Sequence, residues 1–217
     1  MKRLRILVAD DHDLVRRGVM SLLLSREGWD VCGTAKTGRE AVTKTQELKP
    51  DILILDIGMP ELNGLEAARR IREACPNVEI LILSMHHSDH LVRELVEAGV
   101  RGYVVKSDSN RDLIVAVESL ANHKPFFTPR ITEMILGRVS SSGCVEVPAV
   151  IRERLTSRER EIIQLLAEGK SAKEVASSLG ISLKTVETHR ANLMRKLEIH
   201  SVTELVLYAV RNQIVEA

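Results

Sequence analysis

Two adjacent aspartates follow an apolar run near the start of the chain. The run RILVA (5–9) leads directly into Asp10 and Asp11, and such a run indicates a strand that is buried on both faces. Two carboxylates held this close repel each other, and burying them is costly unless a positive charge joins them. Either the pair points into water as turn residues, or a cation belongs beside it.

Three later apolar runs also end in side chains that can do chemistry. ILILD (52–56) ends in Asp56, EILILS (79–84) ends in Ser84, and GYVVK (102–106) ends in Lys106. If these runs are parallel strands, their carboxyl ends meet at one edge of a sheet. If the first and third strands are neighbours, the three carboxylates form a cluster of hard oxygen ligands that suits Mg²⁺. A cation would then relieve the repulsion between Asp10 and Asp11.

The predicted cluster is suited to phosphoryl transfer. A metal ion and the Lys106 ammonium would neutralise the phosphoryl oxygens, while Asp56 would act as the nucleophile and become an aspartyl phosphate. Taken singly, Asp11 is equally well explained as a helix cap, and Lys106 as a solvated residue at a strand end. The occurrence of all five residues at strand ends in this order nevertheless favours a phosphoryl-transfer site. They are Asp10, Asp11, Asp56, Ser84 and Lys106.

The elements that would position these residues alternate along the first half of the chain. Strand-like runs lie at 5–10, 30–35, 52–56, 79–84 and 102–106, and helical periodicity fills 13–26, 38–48, 65–74, 88–98 and 109–122. The capping-box pattern from Thr37 to Glu40 marks the start of the second helix. Five such units predict a doubly wound α/β domain at 1–123, with a five-stranded parallel sheet.

The second half has a different pattern. Prolines, FF and SSSG indicate a linker at 124–150, with a short helix at 131–139. From 151 to 217 the chain is helical in pattern, with further capping boxes at Thr156–Glu159, Ser171–Glu174 and Ser201–Glu204 and helix ends at Gly169 and Gly180. These signals predict a small all-α domain of four helices.

The stretch SAKEVASSLGISLKTVETHRANLMRKL (171–197) reads as two helices joined by a turn at Gly180, with Ile181 and Val186 filling the angle between them. In the second helix Val186, Leu193 and Leu197 share one stripe. The opposite side is polar with basic ends: Lys184, Thr185, Glu187, Thr188, Ala191, Asn192 and Arg195. Such a face is typical of a recognition helix in the major groove of DNA. On pattern alone, an ordinary amphipathic pair with a solvated face explains it at least as well.

Composition narrows the function classes. The net charge is +1, with 17 basic and 19 acidic residues in 1–121 and 11 basic and 9 acidic in 150–217; this distribution permits nucleic-acid binding at the C-terminal end. Aromatic residues make up 2% of the chain, which argues against recognition by base stacking. Three scattered cysteines, the absence of a ~18-residue apolar run and the lack of a signal-peptide pattern predict a cytoplasmic protein without a membrane partner.

The motifs VADDH, ILDIGMPELNG, LILS and GYVVKS resemble the receiver domain of bacterial two-component response regulators over 1–123. The resemblance implies a flavodoxin-like fold, an acid pocket of Asp10, Asp11 and Asp56, and phosphorylation of Asp56 by a sensor histidine kinase. It further implies that Gly58 offers its carbonyl to Mg²⁺, that Lys106 contacts the phosphoryl group, and that Ser84 and Tyr103 are the switch residues.

Residues 152–215 resemble the LuxR-type helix-turn-helix, and the whole chain is similar to the NarL/FixJ family of transcriptional regulators. The resemblance implies a non-enzymatic regulator that binds promoter DNA as a homodimer once phosphorylated, with a dimerisation surface at 202–212 and with RNA polymerase left open as a partner. Its candidate phosphate contacts are Lys173, Lys184, Thr185 and Arg195, and its candidate base contacts are Glu187, Thr188, Ala191 and Asn192.

The sequence departs from the family pattern at three positions and leaves two rival functions. Met85 follows Ser84 where small residues are usual, Ser107 stands where many receivers have proline, and Glu198 stands where many relatives have glycine. A Mg²⁺-dependent phosphatase of the haloacid dehalogenase type would need an acid at Gly58. A regulator that responds to a partner instead of phosphate is the other rival. The histidines of HHSDH (86–90) read as a solvated loop rather than a metal site.

Overall fold

The computed structural model describes residues 3–85, 89–107, 110–136 and 155–215. Contacts divide the chain into two compact units. We call them the sheet unit, whose described elements run from Leu4 to Leu136, and the helical unit, whose elements run from Ser157 to Arg211. No helix within these described ranges is both long enough and apolar enough to cross a membrane.

The sheet unit is built on parallel strands that match the apolar runs of the sequence. They are β1 (Leu4–Ala9), β2 (Trp29–Ala35), β3 (Ile52–Asp56), β4 (Glu79–Ser84), β5 (Gly102–Val105) and β6 (Phe126–Phe127). Their order is β2-β1-β3-β4-β5-β6, with every neighbouring pair parallel. β1 and β3 are therefore adjacent, and this confirms the condition under which the carboxylates cluster.

Helices cover both faces of this sheet, as the doubly wound prediction required. They are α1 (Asp13–Leu24), α2 (Gly38–Leu48), α3 (Gly64–Ala74), α4 (Asp89–Glu97), α5 (Asn110–Ala121) and α6 (Pro129–Leu136). Apolar side chains of α1 and α5 pack with Ile6, Ile54 and Leu81 in one core cluster. Strand residues that point the other way, such as Leu7 and Leu53, are also fully buried.

The predicted count of five strands is wrong, because β6 adds a sixth at the edge. Gly102 and Tyr103 of β5 pair with Phe126 and Phe127, two residues that the sequence pattern assigns to the linker. Phe126 also packs against the core cluster. A two-residue strand is too short to show alternation, and prolines at 125 and 129 look like linker signals when no partner strand is known. The helix predicted at 131–139 begins two residues earlier, and its last three predicted positions lie outside the described residues.

Four helices make up the described part of the helical unit: α7 (Ser157–Ala167), α8 (Ala172–Leu179), α9 (Leu183–Lys196) and α10 (Val202–Arg211). Val175, Val186 and Leu193 are buried in their common core. α8 ends at Gly180, whose φ of +63° is the left-handed conformation that glycine adopts most readily. The predicted four-helix architecture is confirmed.

Two of the four predicted capping boxes form completely. At Thr156 and Ser171, the glutamate three residues on accepts a hydrogen bond from the cap's own N–H. At Thr37 and Ser201 the side-chain cap forms, but the glutamate accepts from the preceding residue instead. The complete boxes have a cap φ of −67°, whereas Thr37 and Ser201 have φ of −133° and −138°. This rotation turns the cap's N–H away from the glutamate.

Candidate functional site

The carboxyl ends of four adjacent strands bring the predicted pocket residues to one edge of the sheet. Asp10 directly follows β1, Asp56 is the last residue of β3, Ser84 is the last of β4, and Lys106 directly follows β5. The strand register aligns these ends, because Ala9 pairs with Leu55, Asp56 with Leu83 and Ser84 with Val105. The convergence expected from the sequence is therefore present.

Lys106 lies between two of the carboxylates. Its Nζ is 2.9 Å from Asp10 Oδ2 and 3.0 Å from Asp56 Oδ2, and all three side chains are almost fully buried. Burial disfavours the charged ammonium, but the negative charges of Asp56 and Asp10 outweigh burial, so the pKa of Lys106 is raised. The ammonium therefore stays charged at neutral pH and offsets part of the repulsion between the buried aspartates.

The cluster has the charge and the ligand atoms that a divalent cation needs. One ligand atom from each of Asp10, Asp11, His12 and Asp56 lies within 4.8 Å of the others. Three carboxylates and one ammonium leave a charge of about −2 in a site that is buried on one side. Carboxylate oxygens suit Mg²⁺, which is typically bound through one or two carboxylates and retains water. The residues present therefore fit the predicted ion.

The remaining predicted pocket residues lie around this cluster. Gly58 follows β3 in the loop that leads to α3. Ser84 is buried, and its carbonyl accepts a hydrogen bond from the Lys106 N–H at 2.8 Å. Tyr103 is 1% exposed, so its ring lies inside the sheet unit. Met85, in contrast, is 52% exposed.

Arg16 supports the pocket, a role that the sequence reasoning missed. It is buried, and its Nη1 donates a hydrogen bond to the Asp10 carbonyl at 2.8 Å while its Nη2 pairs with Asp13. The sequence contains a signal for this role, because the helical spacing of Arg16 puts it on the buried face of α1 with Val19 and Leu23. A charge on a helix face that points into the core needs a partner there.

Gly64 is a second missed residue, and its role is steric. A Cβ on Gly64 would lie 2.1 Å from the carbonyl oxygen of Asp56 and 2.9 Å from Cα of Ile57. The first turn of α3 therefore rests directly on the backbone of the phosphoryl-acceptor candidate. Asn63 caps this turn by accepting from the Glu66 N–H at 3.0 Å. In the sequence, the Asn-Gly pair of MPELNG signals only a turn or a helix start.

The predicted DNA-contacting residues of the helical unit are exposed. Ser182 caps the start of α9, and Val186 and Leu193 bury its apolar stripe. All eight predicted contact residues are exposed: Lys173, Lys184, Thr185, Glu187, Thr188, Ala191, Asn192 and Arg195. We call the seven of these that lie on α9 the recognition face.

Hydrogen bonds within α9 orient part of the recognition face. The hydroxyl of Thr188 donates to the Lys184 carbonyl at 2.8 Å, so its lone pairs point outward as acceptors. Arg195 donates to the side chain of Asn192 at 3.3 Å. Among the described residues, Glu187 forms an ion pair with neither Lys184 nor Arg190, the basic residues three positions before and after it on α9. Its carboxylate is therefore available to a ligand.

Three further sequence predictions concern the dimerisation surface at 202–212, the conformation of Glu198 and the HHSDH segment. α10 matches the predicted surface at 202–212 to within one residue, and it exposes the apolar side chains of Val202 and Leu207. Glu198 adopts a φ of +54°, so it occupies the left-handed conformation that glycine adopts most readily. HHSDH lies largely outside the described residues, since the structure describes neither 86–88 nor the side chains of 89 and 90.

Comparison with protein families matches both units. Residues 6–118 match the response regulator receiver domain, and residues 153–209 match the bacterial regulatory proteins of the luxR family. The response regulator protein VraR of Staphylococcus saprophyticus is 33% identical over 213 residues, which cover 98% of this chain and 99% of the relative. VraR of Staphylococcus aureus is 34% identical over the same length.

Solved structures of response regulators are also similar to this chain. The response regulator ChrA of a heme-sensing two-component system is 29% identical, with a TM-score of 0.53 over 99% of this chain and all of that one. RcsB of Salmonella typhimurium has a TM-score of 0.66 at 24% identity, over 98% of this chain and 99% of that one. A further structure, at 24% identity and a TM-score of 0.58, is a complex of RcsB with DNA that covers 95% of this chain and 97% of that one. At this identity, the RcsB structures support the fold.

Proposed function

Because the chain belongs to the two-component response regulators, with a receiver domain followed by a LuxR-type DNA-binding domain, we propose that Asp56 accepts a phosphoryl group from a sensor histidine kinase and that the phosphorylated protein binds promoter DNA as a dimer. The observation that carries this proposal is the Asp56 carboxylate at the end of β3, with Lys106 Nζ 3.0 Å away and two further aspartates beside it.

Each pocket residue has a chemical task in this reaction. An oxygen of Asp56 attacks the phosphorus of the kinase phosphohistidine, the bond from phosphorus to the imidazole nitrogen breaks, and an aspartyl phosphate forms. The Lys106 ammonium is placed to neutralise a phosphoryl oxygen. Asp10, Asp11, Asp56 and the Gly58 carbonyl would hold Mg²⁺, which would supply further charge neutralisation when bound. Hydrogen bonds to Asp10 from the His12 N–H and to its carbonyl from Arg16 keep Asp10 in place.

Phosphorylation of Asp56 then has to change the structure of the receiver domain outside the pocket. Ser84 lies at the end of the strand between β3 and β5, where its hydroxyl can bind a phosphoryl oxygen on Asp56. Tyr103 lies on β5, next to β4. A shift of Ser84 toward the new group changes the packing around the Tyr103 ring, which is fully buried. Interiors this tightly packed respond to small shifts by switching between discrete arrangements.

The DNA-binding step uses the recognition face. Lys173, Lys184, Thr185 and Arg195 contact phosphates, while Glu187, Thr188, Ala191 and Asn192 face the bases. A homodimer formed through α10 presents two such faces to paired half-sites. This assignment places the protein in the cytoplasm, without catalytic turnover of small substrates, and leaves contact with RNA polymerase to be tested at the promoter.

Acetyl phosphate supplies a direct test, because it donates a phosphoryl group without the kinase. Incubation of the full chain with acetyl phosphate and Mg²⁺ is expected to add one phosphoryl group, measured by intact mass, and to raise affinity for promoter DNA. Asp56→Asn should abolish both effects. Asp51→Asn removes a carboxylate at the opposite end of the same strand and should change neither. Undiminished labelling of Asp56→Asn would contradict the assignment.

A further inference from the structure

Arg158 carries a positive charge in the first turn of α7, where the helix dipole opposes it. Its guanidinium reaches away from that helix to the end of α8, where Nη2 donates a hydrogen bond to the Leu179 carbonyl at 3.0 Å. A cation is favourable at the carboxyl end of a helix. The charge of Arg158 therefore benefits α8, the first helix of the helix-turn-helix, rather than the helix that carries it.

Glu161 fixes the other side of this guanidinium. Its Oε2 accepts a hydrogen bond from Arg158 Nη1 at 2.9 Å, and its side chain is 0% exposed. Two nitrogens of one planar group thus bind two acceptors, and a planar fork fixes direction as well as distance. The Leu179 carbonyl is therefore tied through Arg158 to the buried side of α7.

The Leu179 carbonyl belongs to the peptide group through which the chain leaves α8. The turn itself satisfies two earlier carbonyls of this helix, because the Gly180 N–H donates to those of Ala176 and Ser177. The Leu179 carbonyl receives its hydrogen bond from Arg158. Its oxygen and the Gly180 nitrogen lie in one planar peptide group, so a contact that holds the oxygen also restricts the backbone torsions at the turn.

Gly180 needs such a restraint, because glycine has the widest backbone freedom of any residue. A Cβ placed on it would meet no described atom within 4 Å, so the surroundings of Gly180 do not confine it. α9 begins at Leu183, and its 14 residues span about 21 Å. A rotation of about 10° at the turn would move the far end of α9 by about 4 Å, more than the length of a hydrogen bond.

The last turn of α9 is tied to the same turn of α7. Lys196 Nζ lies 3.2 Å from Oε2 of Glu159, the residue that follows Arg158. The first turn of α7 therefore holds the chain both before α9 and at its end. Between these ties Val186 and Leu193 pack in the core, but apolar attraction is non-directional. The polar ties add the directional contacts that orient the helix.

We propose that Arg158 is a positioning residue for DNA recognition, which holds the turn before α9 through the Leu179 carbonyl and so sets the angle at which the recognition face meets the bases. This inference rests on the proposed contacts of the recognition face and adds a residue outside that face. Hydrogen bonds to bases tolerate little displacement, whereas long Lys and Arg side chains can follow a phosphate. Loss of Arg158 should therefore reduce the preference between sequences more than it reduces binding to DNA in general.

The test compares the affinity of the full chain for two duplexes of equal length, in the presence of acetyl phosphate and Mg²⁺. One duplex is the sequence that the wild type enriches from a randomised library, and the other is a scrambled version of it. Arg158→Met combined with Glu161→Gln removes the contact with Leu179 and the buried charge together, and it keeps the net charge of the wild type. We expect the preference for the enriched duplex to fall about tenfold, with binding to the scrambled duplex unchanged.

Glu161→Gln alone is the matched control, because the glutamine oxygen still accepts from Arg158 and the contact with Leu179 remains. It should keep the wild-type preference, although the loss of a negative charge strengthens binding to both duplexes. Arg158→Lys is a second variant, which keeps the charge beside Glu161. Its shorter side chain ends in one nitrogen instead of a planar pair, so the preference should fall here as well.

Circular dichroism establishes the temperature at which each variant is folded, and binding is measured there. An unchanged preference in the double variant, or an equal loss of affinity for both duplexes, would overturn the positioning role. The same holds if Glu161→Gln loses as much preference as the double variant, since the buried charge would then explain the effect. If the double variant does not fold, wild-type preference in Arg158→Lys overturns the role.

The behaviour of the wild type separates this inference from the proposed function. If the wild type enriches one sequence and the variants prefer it equally, only the role of Arg158 is overturned. If the wild type enriches no sequence from the library, the proposed recognition of promoter DNA fails, and the role of Arg158 fails with it.

Discussion

At the scale of single residues, Lys106 is the counterion of a buried pair of aspartates. Lys106→Met leaves Asp10 and Asp56 facing each other without a cation, and removing one partner of a buried ion pair typically costs 3–5 kcal/mol. We expect a loss of about 3 kcal/mol in the free energy of unfolding, measured by urea with the fluorescence of Trp29. Added Mg²⁺ should restore part of this loss, because the variant pocket is more negative.

Lys44→Met is the matched control for this change. Lys44 also pairs with a carboxylate, that of Glu40 at 2.6 Å, but both side chains are about one-third exposed. Exposed pairs contribute less than about 1 kcal/mol, so the loss should be small and independent of Mg²⁺. Equal losses in the two variants would contradict a buried counterion role for Lys106.

Glu187 is the residue on the recognition face whose charge opposes DNA binding. A carboxylate near phosphates is repelled, but it can accept a hydrogen bond from the amino group of cytosine, which discriminates between bases by ~1–3 kcal/mol. Glu187→Ala should relax the preference at one base pair in each half-site, measured with a randomised DNA library. Lys184→Ala should weaken binding evenly over all sequences. An unchanged preference with uniformly tighter binding of Glu187→Ala would assign Glu187 no role in sequence choice.

At the scale of elements, the contact of α3 with the end of β3 depends on Gly64. Gly64→Ala would improve helix propensity by about 1 kcal/mol, but its Cβ would meet backbone atoms of Asp56 and Ile57 that cannot move independently. We expect a net loss of 1–3 kcal/mol in stability and slower phosphorylation of Asp56 by acetyl phosphate, as the acceptor shifts.

Gly18→Ala shows whether this effect is local. Gly18 also lies in a helix of the sheet unit, α1, but a Cβ there would meet no atom within 4 Å. This variant should therefore be more stable by roughly 0.5–1 kcal/mol, with phosphorylation unchanged. A stabilised and fully active Gly64→Ala protein would show that the helix can move away from the strand end at no cost.

Glu159 links two helices of the helical unit. Its carboxylate completes the capping box of α7 and also accepts from Lys196 of α9 at 3.2 Å. Partial burial would raise the pKa of Glu159, but the hydrogen bond from the Thr156 N–H and the Lys196 ammonium together lower it. A lowered pKa means that the stabilisation is present above the unfolded-state pKa of ~4.3 and is lost as pH falls through the folded-state pKa.

Glu159→Gln should therefore reduce hydrogen-exchange protection of α7 and α9 at pH 7, by less than about 1 kcal/mol because the pair is partly exposed. As the pH falls through the lowered folded-state pKa of Glu159, the difference from the wild type should vanish, as shown by mass spectrometry of the full chain. Glu174→Gln breaks the similar box of α8, which lacks a lysine from α9, and should leave protection of α9 unchanged. Loss of α9 protection in both variants would assign the effect to capping alone.

At the scale of the whole molecule, the modest positive charge of the DNA-binding half limits how many DNA phosphates one subunit can contact. Residues 150–217 carry 11 basic and 9 acidic side chains, so one recognition face supplies few phosphate contacts. A dimer that contacts roughly 8 phosphates should show log K falling with log salt at a slope of about −7. Measurement of promoter affinity over a salt series, before and after phosphorylation, checks this. A flat salt response would mean that DNA is not the ligand.

The sequence by itself determined the order of the elements and the chemistry at the strand ends. Apolar runs that end in Asp10, Asp56, Ser84 and Lys106 require a parallel sheet with a polar edge, because period and polarity are local properties of the chain. The capping residues and Gly180 likewise marked the helical half. In each case the information lies within a few residues, so a single sequence contains it.

Only the tertiary structure decided which groups touch. β6 exists because β5 offers a free edge, and two residues cannot signal that pairing in advance. Arg16 and Gly64 act on groups that their neighbours in sequence do not identify: a carbonyl after β1 and the backbone at the end of β3. Contacts of this kind depend on the packing of distant segments to within a few tenths of an ångström, a distance that composition and periodicity do not specify.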